Sequence, residues 1–310
     1  MPSRGLSFRK GLLSIKDLTT KEITSVLSES ERMLEICRSG KKADYLSNKI
    51  MATLFFEPST RTRLSFESAM QRLGGGIIGF ADPSSSSTMK GESLADTVKI
   101  VSSYSDVIVL RHPREGAANE AARYATVPII NAGDGAGEHP TQALLDLFTI
   151  KKEKGRLQGL KIAVVGDLKN GRTVHSLAYA LARFENDVTF IAPKQLQVPG
   201  NIVSSLNREH GSRVETSESL DAAKDADVIY MTRVQEERFK SRAEYAQFAN
   251  YYNINKGFLS RANDDVIIMH PLPRVKEISP EVDSMKNSVY FKQASYGVPV
   301  RMAILKMMLL

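Results

Sequence analysis

The sequence predicts an α/β protein made of two doubly wound parallel-sheet domains that are joined by a bridging helix. Short apolar runs alternate along the chain with helical or Gly/Ser-rich stretches, which is typical of parallel strands connected by crossover helices. The runs in the second half are continuous and rich in valine and isoleucine, as expected of strands that are buried on both faces. At 310 residues, the chain is long enough for two ordinary domains.

The first domain is predicted to begin with an amphipathic helix from Asp17 to Cys37. Thr19 or Thr20 can cap this helix together with Glu22, and apolar residues follow at helical spacing. Four strands are then expected, at Ile50–Phe56, Ile77–Phe80, Val107–Leu110 and Val127–Ile130. Ligands of such sheets bind beyond the carboxyl ends of the strands, so the residues after each strand are the candidates for a site.

The second domain is predicted to follow a bridging helix from Pro140 to Glu153. Its strands are expected at Lys161–Val165, Val188–Ile191, Val228–Met231 and Val266–Met269. We expect a boundary near residues 135 to 155 and assign residues 1–138 to the first domain and residues 139–291 to the second.

The C-terminal apolar run from Met302 to Leu310 is interrupted by Lys306 and is too short to span a membrane. It predicts a C-terminal helix, over about residues 292–310, that packs back on the N-terminal domain and completes it.

The composition favours small anionic substrates. The net charge is +7, but no block of five or six basic residues occurs and aromatic residues do not alternate with basic ones, which argues against nucleic acid as a partner. The single cysteine, Cys37, excludes an intramolecular disulfide and a Cys-rich zinc site. We therefore expect a soluble, cytoplasmic protein with neither a metal nor another cofactor and with no membrane partner.

The turn after the strand Ile50–Phe56 carries hydroxyl and guanidinium donors. Its sequence is Glu57-Pro58-Ser59-Thr60-Arg61-Thr62-Arg63, and an amphipathic helix follows. Free N–H groups and a partial positive charge at a helix N-terminus favour a phosphate. The motif alone leaves open a simple Ser/Thr cap with surface arginines.

A second turn, Gly166 to Thr173, has the Gly-x4-Gly spacing of a P-loop, with Arg172 at the position of the lysine. It also lacks the second and third glycines of a dinucleotide fingerprint. The turn therefore predicts an arginine aimed at an anion, and the planar guanidinium suits a carboxylate. A nucleotide-binding enzyme built on this turn remains the alternative.

Further polar groups follow other strands or open the bridging helix. They are Arg111-His112-Pro113, Thr232-Arg233-Val234-Gln235, His270-Pro271-Leu272-Pro273-Arg274, and the pair His139 and Gln142. Each could be an ordinary strand exit, but their repetition at the same end of the sheets indicates a site.

These stretches together resemble the transcarbamoylases, and the resemblance spans nearly the whole chain. It rests on Phe56-Glu57-Pro58-Ser59-Thr60-Arg61-Thr62-Arg63, Lys90-Gly91-Glu92-Ser93, Arg111-His112-Pro113, His139-Pro140-Thr141-Gln142, Gly171-Arg172-Thr173-Val174-His175-Ser176, Thr232-Arg233-Val234-Gln235 and His270-Pro271-Leu272-Pro273-Arg274. The resemblance implies carbamoyl transfer from carbamoyl phosphate, a step of pyrimidine biosynthesis if L-aspartate is the acceptor. An ornithine enzyme would carry a cysteine where this chain has Pro271, and the arginines favour a dicarboxylate.

The resemblance also implies roles for individual residues. Carbamoyl phosphate would be bound by Ser59, Thr60, Arg61, Thr62, Ser86, Arg111, His139, Gln142 and the carbonyls of Pro271 and Leu272. L-Aspartate would be bound by Lys90, Arg172, Arg233 and Gln235. The residues implied in catalysis are Arg61, Thr62, Lys90, Arg111 and His139.

The family pattern implies an assembly as well. Lys90 and Ser86, from a Ser-rich loop, would enter the site of a neighbouring subunit, so a homotrimer with shared sites is expected. Glu57, with Arg172 and Arg238, would form a salt link that accompanies domain closure. The resemblance leaves open separate zinc-containing regulatory chains as partners.

Overall fold

The computed structural model describes residues 10–40, 43–81, 91–209 and 213–310, and the chain divides into two compact units. Unit 1 comprises the described residues up to Phe148 together with Tyr296–Leu310, and unit 2 comprises Thr149–Ser295. The first division lies later than the 138/139 boundary expected from the sequence. The reason is that the first half of the bridging helix packs within unit 1, where the Phe148 ring lies 5.3 Å from that of Tyr296.

Unit 1 contains a five-stranded sheet in which all pairings are parallel. Its elements are β1 (Gly11–Leu12), α1 (Thr20–Ser39), β2 (Ile50–Phe55), α2 (Thr60–Arg72), β3 (Gly76–Phe80), α3 (Leu94–Ser102), β4 (Val107–His112), α4 (Ala117–Tyr124), β5 (Ile129–Asp134) and the first part of α5 (Pro140–Lys154). The strand order is β1-β5-β4-β2-β3. The chain adds β3 on one side of β2 and then returns to the other side for β4. The topological switch point of this sheet therefore lies between β2 and β4.

Unit 2 repeats this plan with another all-parallel sheet. Its elements are β6 (Lys161–Val165), α6 (Arg172–Ala182), β7 (Asp187–Ile191), α7 (Gly200–Glu209), β8 (Val214–Ser217), β9 (Val228–Met231), α8 (Arg242–Ala246), α9 (Lys256–Leu259), β10 (Ile267–Met269) and the start of α10 (Tyr290–Leu309). The strand order is β10-β9-β6-β7-β8, which places the switch point between β6 and β9. The predicted fold class is confirmed.

Helices α1 and α10 contact each other in unit 1. The capping box predicted for α1 is present, because the Thr19 side chain accepts from the backbone of Glu22 and the Glu22 carboxylate accepts from the backbone of Thr19. Lys306 of α10 donates to Glu29 of α1 at 2.7 Å. The C-terminal helix thus packs back on the N-terminal unit, as the sequence predicts.

The sequence does not predict two of the strands, β1 and β8, and each of them is an edge strand of its sheet. β1 has two residues and pairs with β5. β8 is only partly buried and largely polar, so it lacks the apolar run that marks the central strands. Among the described residues, no helix is long and apolar enough to cross a membrane.

The switch point of unit 2 depends on Gly166, which directly follows β6. Its φ is +122°, and a Cβ there would lie 2.2 Å from the carbonyl oxygen of Thr232, the residue that follows β9. A side chain at this position would therefore both strain the backbone and separate the two strand ends.

We predict that Gly166→Ala lowers the free energy of unfolding by at least about 3 kcal/mol. Gly155→Ala is the matched control, since Gly155 also has a positive φ (+72°) but no atom lies within 4 Å of the position that a Cβ would occupy there. The control should lose only about 1 kcal/mol. Thermal unfolding measures both variants, and equal losses would contradict the close approach of the strand ends.

Candidate functional site

The carboxyl end of β2 in unit 1 carries the predicted phosphate cradle. Ser59 is the N-cap residue of α2, but its side chain makes no capping hydrogen bond to the described first turn. Thr60 and Arg61 are exposed, whereas Thr62 is buried. The helix N-terminus, with its backbone N–H groups and these side chains, therefore lies at the switch point where an anion is expected.

Arg111 reaches the same crevice from the neighbouring strand β4. It is paired in register with Phe55, the last residue of β2. Its guanidinium donates to the Glu57 carboxylate at 2.5 Å and to the carbonyl of Ala132 at 3.3 Å. Glu57 thus contacts Arg111 within unit 1, a pairing that sequence analysis did not foresee.

The loop between β5 and α5 is organised by the buried carboxylate of Asp134. This carboxylate accepts hydrogen bonds from the Asn131 side chain and from the backbone N–H groups of Gly116 and Glu138. His139 follows directly and is buried. Asp134 therefore fixes the approach of the chain to α5 and, with it, the backbone position of His139.

The two strand-end turns of unit 2 are connected by Asp167, whose side chain is completely buried. Its carboxylate accepts from the backbone and side chain of Asn170 and from the backbone N–H of Gln235. Burial raises the pKa of Asp167, and these hydrogen bonds oppose the rise only in part. Asp167 holds the turn that carries Arg172 beside the turn that carries Arg233.

Both predicted arginines of unit 2 stand at the switch point. Arg172 is half-buried and opens α6, and Arg233 follows β9. Arg233 forms a two-pronged ion pair with Glu237. Burial alone would lower the pKa of Arg233, but the hydrogen bonds and charge of Glu237 outweigh it and raise that pKa. Glu237 thus fixes the direction of a guanidinium that a carboxylate could approach.

The loop after β10 is closed by a buried pair, His270 and Glu277. The backbone N–H of Leu272 donates to His270 Nδ1 at 2.7 Å, so the ring proton resides on Nε2, which lies 2.8 Å from Glu277 Oε1. Glu277 also accepts from two backbone N–H groups. Burial raises the pKa of Glu277, but its hydrogen bond with His270 and the other donors lower it overall. The pair fixes the segment that presents the carbonyls of Pro271 and Leu272.

The predicted residues thus fall into two groups, one in each unit. Unit 1 brings Ser59, Thr60, Arg61, Thr62 and Arg111 to its switch point, whereas His139 and Gln142 lie after another strand of the sheet, where α5 begins. Unit 2 brings together Arg172, Arg233 and Gln235. Ser86 and Lys90 lie outside the described residues. Arg238 is exposed at the end of a short 3-10 helix, Glu236–Arg238.

Comparison with known proteins supports this division. A family model for the carbamoyl-P binding domain of aspartate/ornithine carbamoyltransferase matches residues 10–152, and one for the Asp/Orn binding domain matches residues 158–308. The chain belongs to the aspartate/ornithine carbamoyltransferase family.

Relatives of this carbamoyltransferase match it over nearly its whole length. The aspartate carbamoyltransferase catalytic subunit of Methanocella arvoryzae is 54% identical over 302 residues, which cover 97% of each chain. The protein of the same name from Thermococcus kodakarensis is 54% identical over 297 residues, which cover 96% of each chain.

Solved structures agree with this carbamoyltransferase in fold. The catalytic subunit of M. jannaschii aspartate transcarbamoylase has a TM-score of 0.88 and 52% identity, with 96% of this chain and 97% of that chain covered. The aspartate transcarbamoylase of Trypanosoma cruzi, in complex with carbamoyl phosphate and aspartate, has a TM-score of 0.93 and 41% identity, with 98% of each chain covered.

We predict that Glu277→Ala lowers the free energy of unfolding by about 3 kcal/mol at pH 7, because His270 would remain buried without its carboxylate. A lowered pKa means that the stabilisation is present above the ordinary glutamate value of 4.5 and is lost as the pH falls through the lowered value. The difference between wild type and variant should therefore shrink in acid. Glu281→Ala, at an exposed glutamate of the same segment, is the control, and thermal unfolding at several pH values distinguishes the two.

Proposed function

We infer that the protein transfers the carbamoyl group of carbamoyl phosphate to the amino group of L-aspartate, giving N-carbamoyl-L-aspartate and phosphate. The supporting observation is that a chain 54% identical to named aspartate carbamoyltransferases carries arginines at both of its sheet switch points. Two separate groups of guanidinium donors suit two separate anionic substrates.

Unit 1 is proposed to bind carbamoyl phosphate. The phosphate would lie at the N-terminus of α2, against Ser59, Thr60, Arg61 and Thr62. Arg111 would reach both the phosphate and the carbonyl oxygen. Charge-assisted hydrogen bonds contribute roughly 1.5–3 kcal/mol each, so a few of them suffice to hold a small dianion.

The carbonyl oxygen is where negative charge develops when an amine attacks. Thr62, Arg111 and His139 are proposed as the donors that stabilise this charge. Gln142 and the backbone carbonyls of Pro271 and Leu272 are proposed as acceptors for the carbamoyl NH2 group. His139 acts in this scheme as a hydrogen-bond donor and not as a general base.

Unit 2 is proposed to bind L-aspartate. Arg172, Arg233 and Gln235 would hold its two carboxylates, since a guanidinium can make two parallel hydrogen bonds to one carboxylate. Asp167 and Glu237 hold these groups in place through the contacts described above. Ornithine, with a cationic side chain, would face arginines where it needs an acid, and it is therefore disfavoured.

The reaction requires no nucleophilic side chain. The aspartate amine attacks the carbonyl carbon and a new C–N bond forms. The bond from that carbon to the phosphate oxygen breaks, and phosphate leaves with the electron pair and accepts the amine proton. Orientation of two bound reactants can supply roughly 7–11 kcal/mol of the barrier reduction.

The assembly is part of the proposal. Ser86 and Lys90 are proposed to complete the site of a neighbouring subunit in a homotrimer, with Lys90 in contact with both substrates. Glu57 and Arg238 are proposed to take part in domain closure, which expels water before the reaction. We further propose a cytoplasmic location and a role in pyrimidine biosynthesis.

The function is tested by following phosphate release from carbamoyl phosphate with L-aspartate or L-ornithine as acceptor. We expect turnover with aspartate and at least about a hundredfold lower kcat/KM with ornithine, because the positive side chain would face two guanidiniums. A preference for ornithine would overturn the substrate assignment. Tight nucleotide binding without carbamoyl transfer would instead favour the nucleotide-binding alternative at the Gly166 turn.

Asp167→Asn should raise the KM for L-aspartate by about tenfold, because the amide holds the two turns less firmly than the carboxylate, a loss of ~1.4 kcal/mol. An amide has one acceptor oxygen where the carboxylate has two, so a buried N–H group of Asn170 or Gln235 loses its acceptor, and thermal unfolding accompanies the KM measurement. Asp227→Asn is the matched control. The Asp227 carboxylate accepts a hydrogen bond from the backbone N–H of Lys161, the first residue of β6. This contact lies at the amino ends of the strands, opposite the proposed aspartate site. Equal KM changes in both variants would contradict the role of Asp167.

A further inference from the structure

Gln142 donates a hydrogen bond to a second buried residue of the same helix. Its Nε2 lies 2.9 Å from Oδ1 of Asp146, one turn further along α5. Gln142 is 8% exposed and Asp146 is completely buried. The contact lies within unit 1 and involves a residue for which the proposed function needs a defined orientation.

The chemistry of this contact fixes the orientation of the amide. An ionised carboxylate only accepts hydrogen bonds, so Gln142 must turn its NH2 group towards Asp146 and its oxygen Oε1 away. Among the described residues, none donates to this Oε1. An oxygen acceptor is the group that a carbamoyl NH2 requires.

A buried cation accompanies the Asp146 carboxylate. Arg301 of α10 is 3% exposed, and its guanidinium lies 5.0 Å from the centre of the Phe66 ring of α2. Burial lowers the pKa of Arg301 to about 10 while the charge of Asp146 raises it, so Arg301 remains protonated at neutral pH. Arg301 thus supplies a buried positive charge that compensates the Asp146 carboxylate.

The backbone of α10 makes room for this cation. A Cβ at Gly297, one turn before Arg301, would lie 2.4 Å from Arg301 Nη1. The absence of a side chain at position 297 therefore allows the guanidinium to occupy its present place.

We propose that Asp146, whose charge is balanced by Arg301, is a positioning residue that holds Gln142 with its oxygen towards the carbamoyl NH2 group. Asp146 and Gln142 together would thereby select carbamoyl phosphate over acyl phosphates that carry no N–H donor. This inference rests on the proposed function and adds Asp146 and Arg301 to the residues that support it.

The test compares carbamoyl phosphate with acetyl phosphate, in which a methyl group replaces the NH2 group. In Asp146→Asn the neighbouring amide can donate as well as accept, so Gln142 is free to turn over. We expect the KM for carbamoyl phosphate to rise about tenfold, whereas the inhibition constant of acetyl phosphate stays within about twofold. Equal weakening of both ligands would overturn the proposal.

A double-mutant cycle separates orientation from general packing. In a Gln142→Ala background, Asp146→Asn should change the KM for carbamoyl phosphate by less than about twofold, because the group that it orients is gone. If Asp146→Asn raised the KM for carbamoyl phosphate by the same factor with and without the Gln142 side chain, the proposal would be overturned. Asp146→Asn removes the counter-charge of Arg301, so the thermal unfolding of each variant is measured together with its KM.

Gly297→Ala provides a second route to the same result without removal of a charge. It should displace Arg301 and produce the same selective rise in the KM for carbamoyl phosphate, and it decides the test if Asp146→Asn does not fold. A Gly297→Ala variant with unchanged selectivity would overturn the proposal. Wild-type protein that fails to carbamoylate aspartate would overturn the proposed function instead, and the two failures are thus distinct.

Discussion

Parallel pairing within each unit is the constraint on which the rest of the structure depends. When every strand of a sheet points the same way, all carboxyl ends lie at one edge, and a reversal in strand order opens a crevice there. Both sheets reverse once beside their first long strand, at β2 and at β6. Residues far apart in sequence, such as Glu57 and Arg111, meet because of this reversal.

Buried carboxylates hold in place several of the groups that are proposed to bind the substrates. Asp134 organises the approach to His139, Asp167 connects the turns of Arg172 and Gln235, and Glu277 secures His270. Burial of a carboxylate costs free energy unless several donors compensate it. Here each carboxylate accepts more than one hydrogen bond, so the cost is offset where the chain needs a fixed geometry rather than stability alone.

The sequence predicted those features that have a local signal. The strands Lys161–Val165 and Val228–Met231 were placed without error because they are uninterrupted runs of mostly apolar residues, which only central strands require. The arginines were found because they follow such strands. The polar edge strand β8 carries no such run, and it was missed for that reason.

The supporting carboxylates could not be found in this way. Asp167 and Gln235 are 68 positions apart, and Glu57 and Arg111 are 54 apart, so no periodic pattern connects them. The family resemblance implies a link from Glu57 to Arg172 and Arg238, and it gives no sign of the contact that Glu57 makes with Arg111 within unit 1. A charged residue beside a strand end signals that a partner exists, but only the strand order identifies the partner.

The space that Gly297 leaves for Arg301 has an evolutionary consequence. The two positions are coupled, because a side chain at 297 would displace the guanidinium from its present place, and a shorter residue at 301 would leave a void and remove a counter-charge from the Asp146 carboxylate. In divergent relatives, replacement of the glycine should therefore coincide with loss of the arginine and of Asp146. An alignment of such relatives should therefore show correlated replacements at positions 146, 297 and 301.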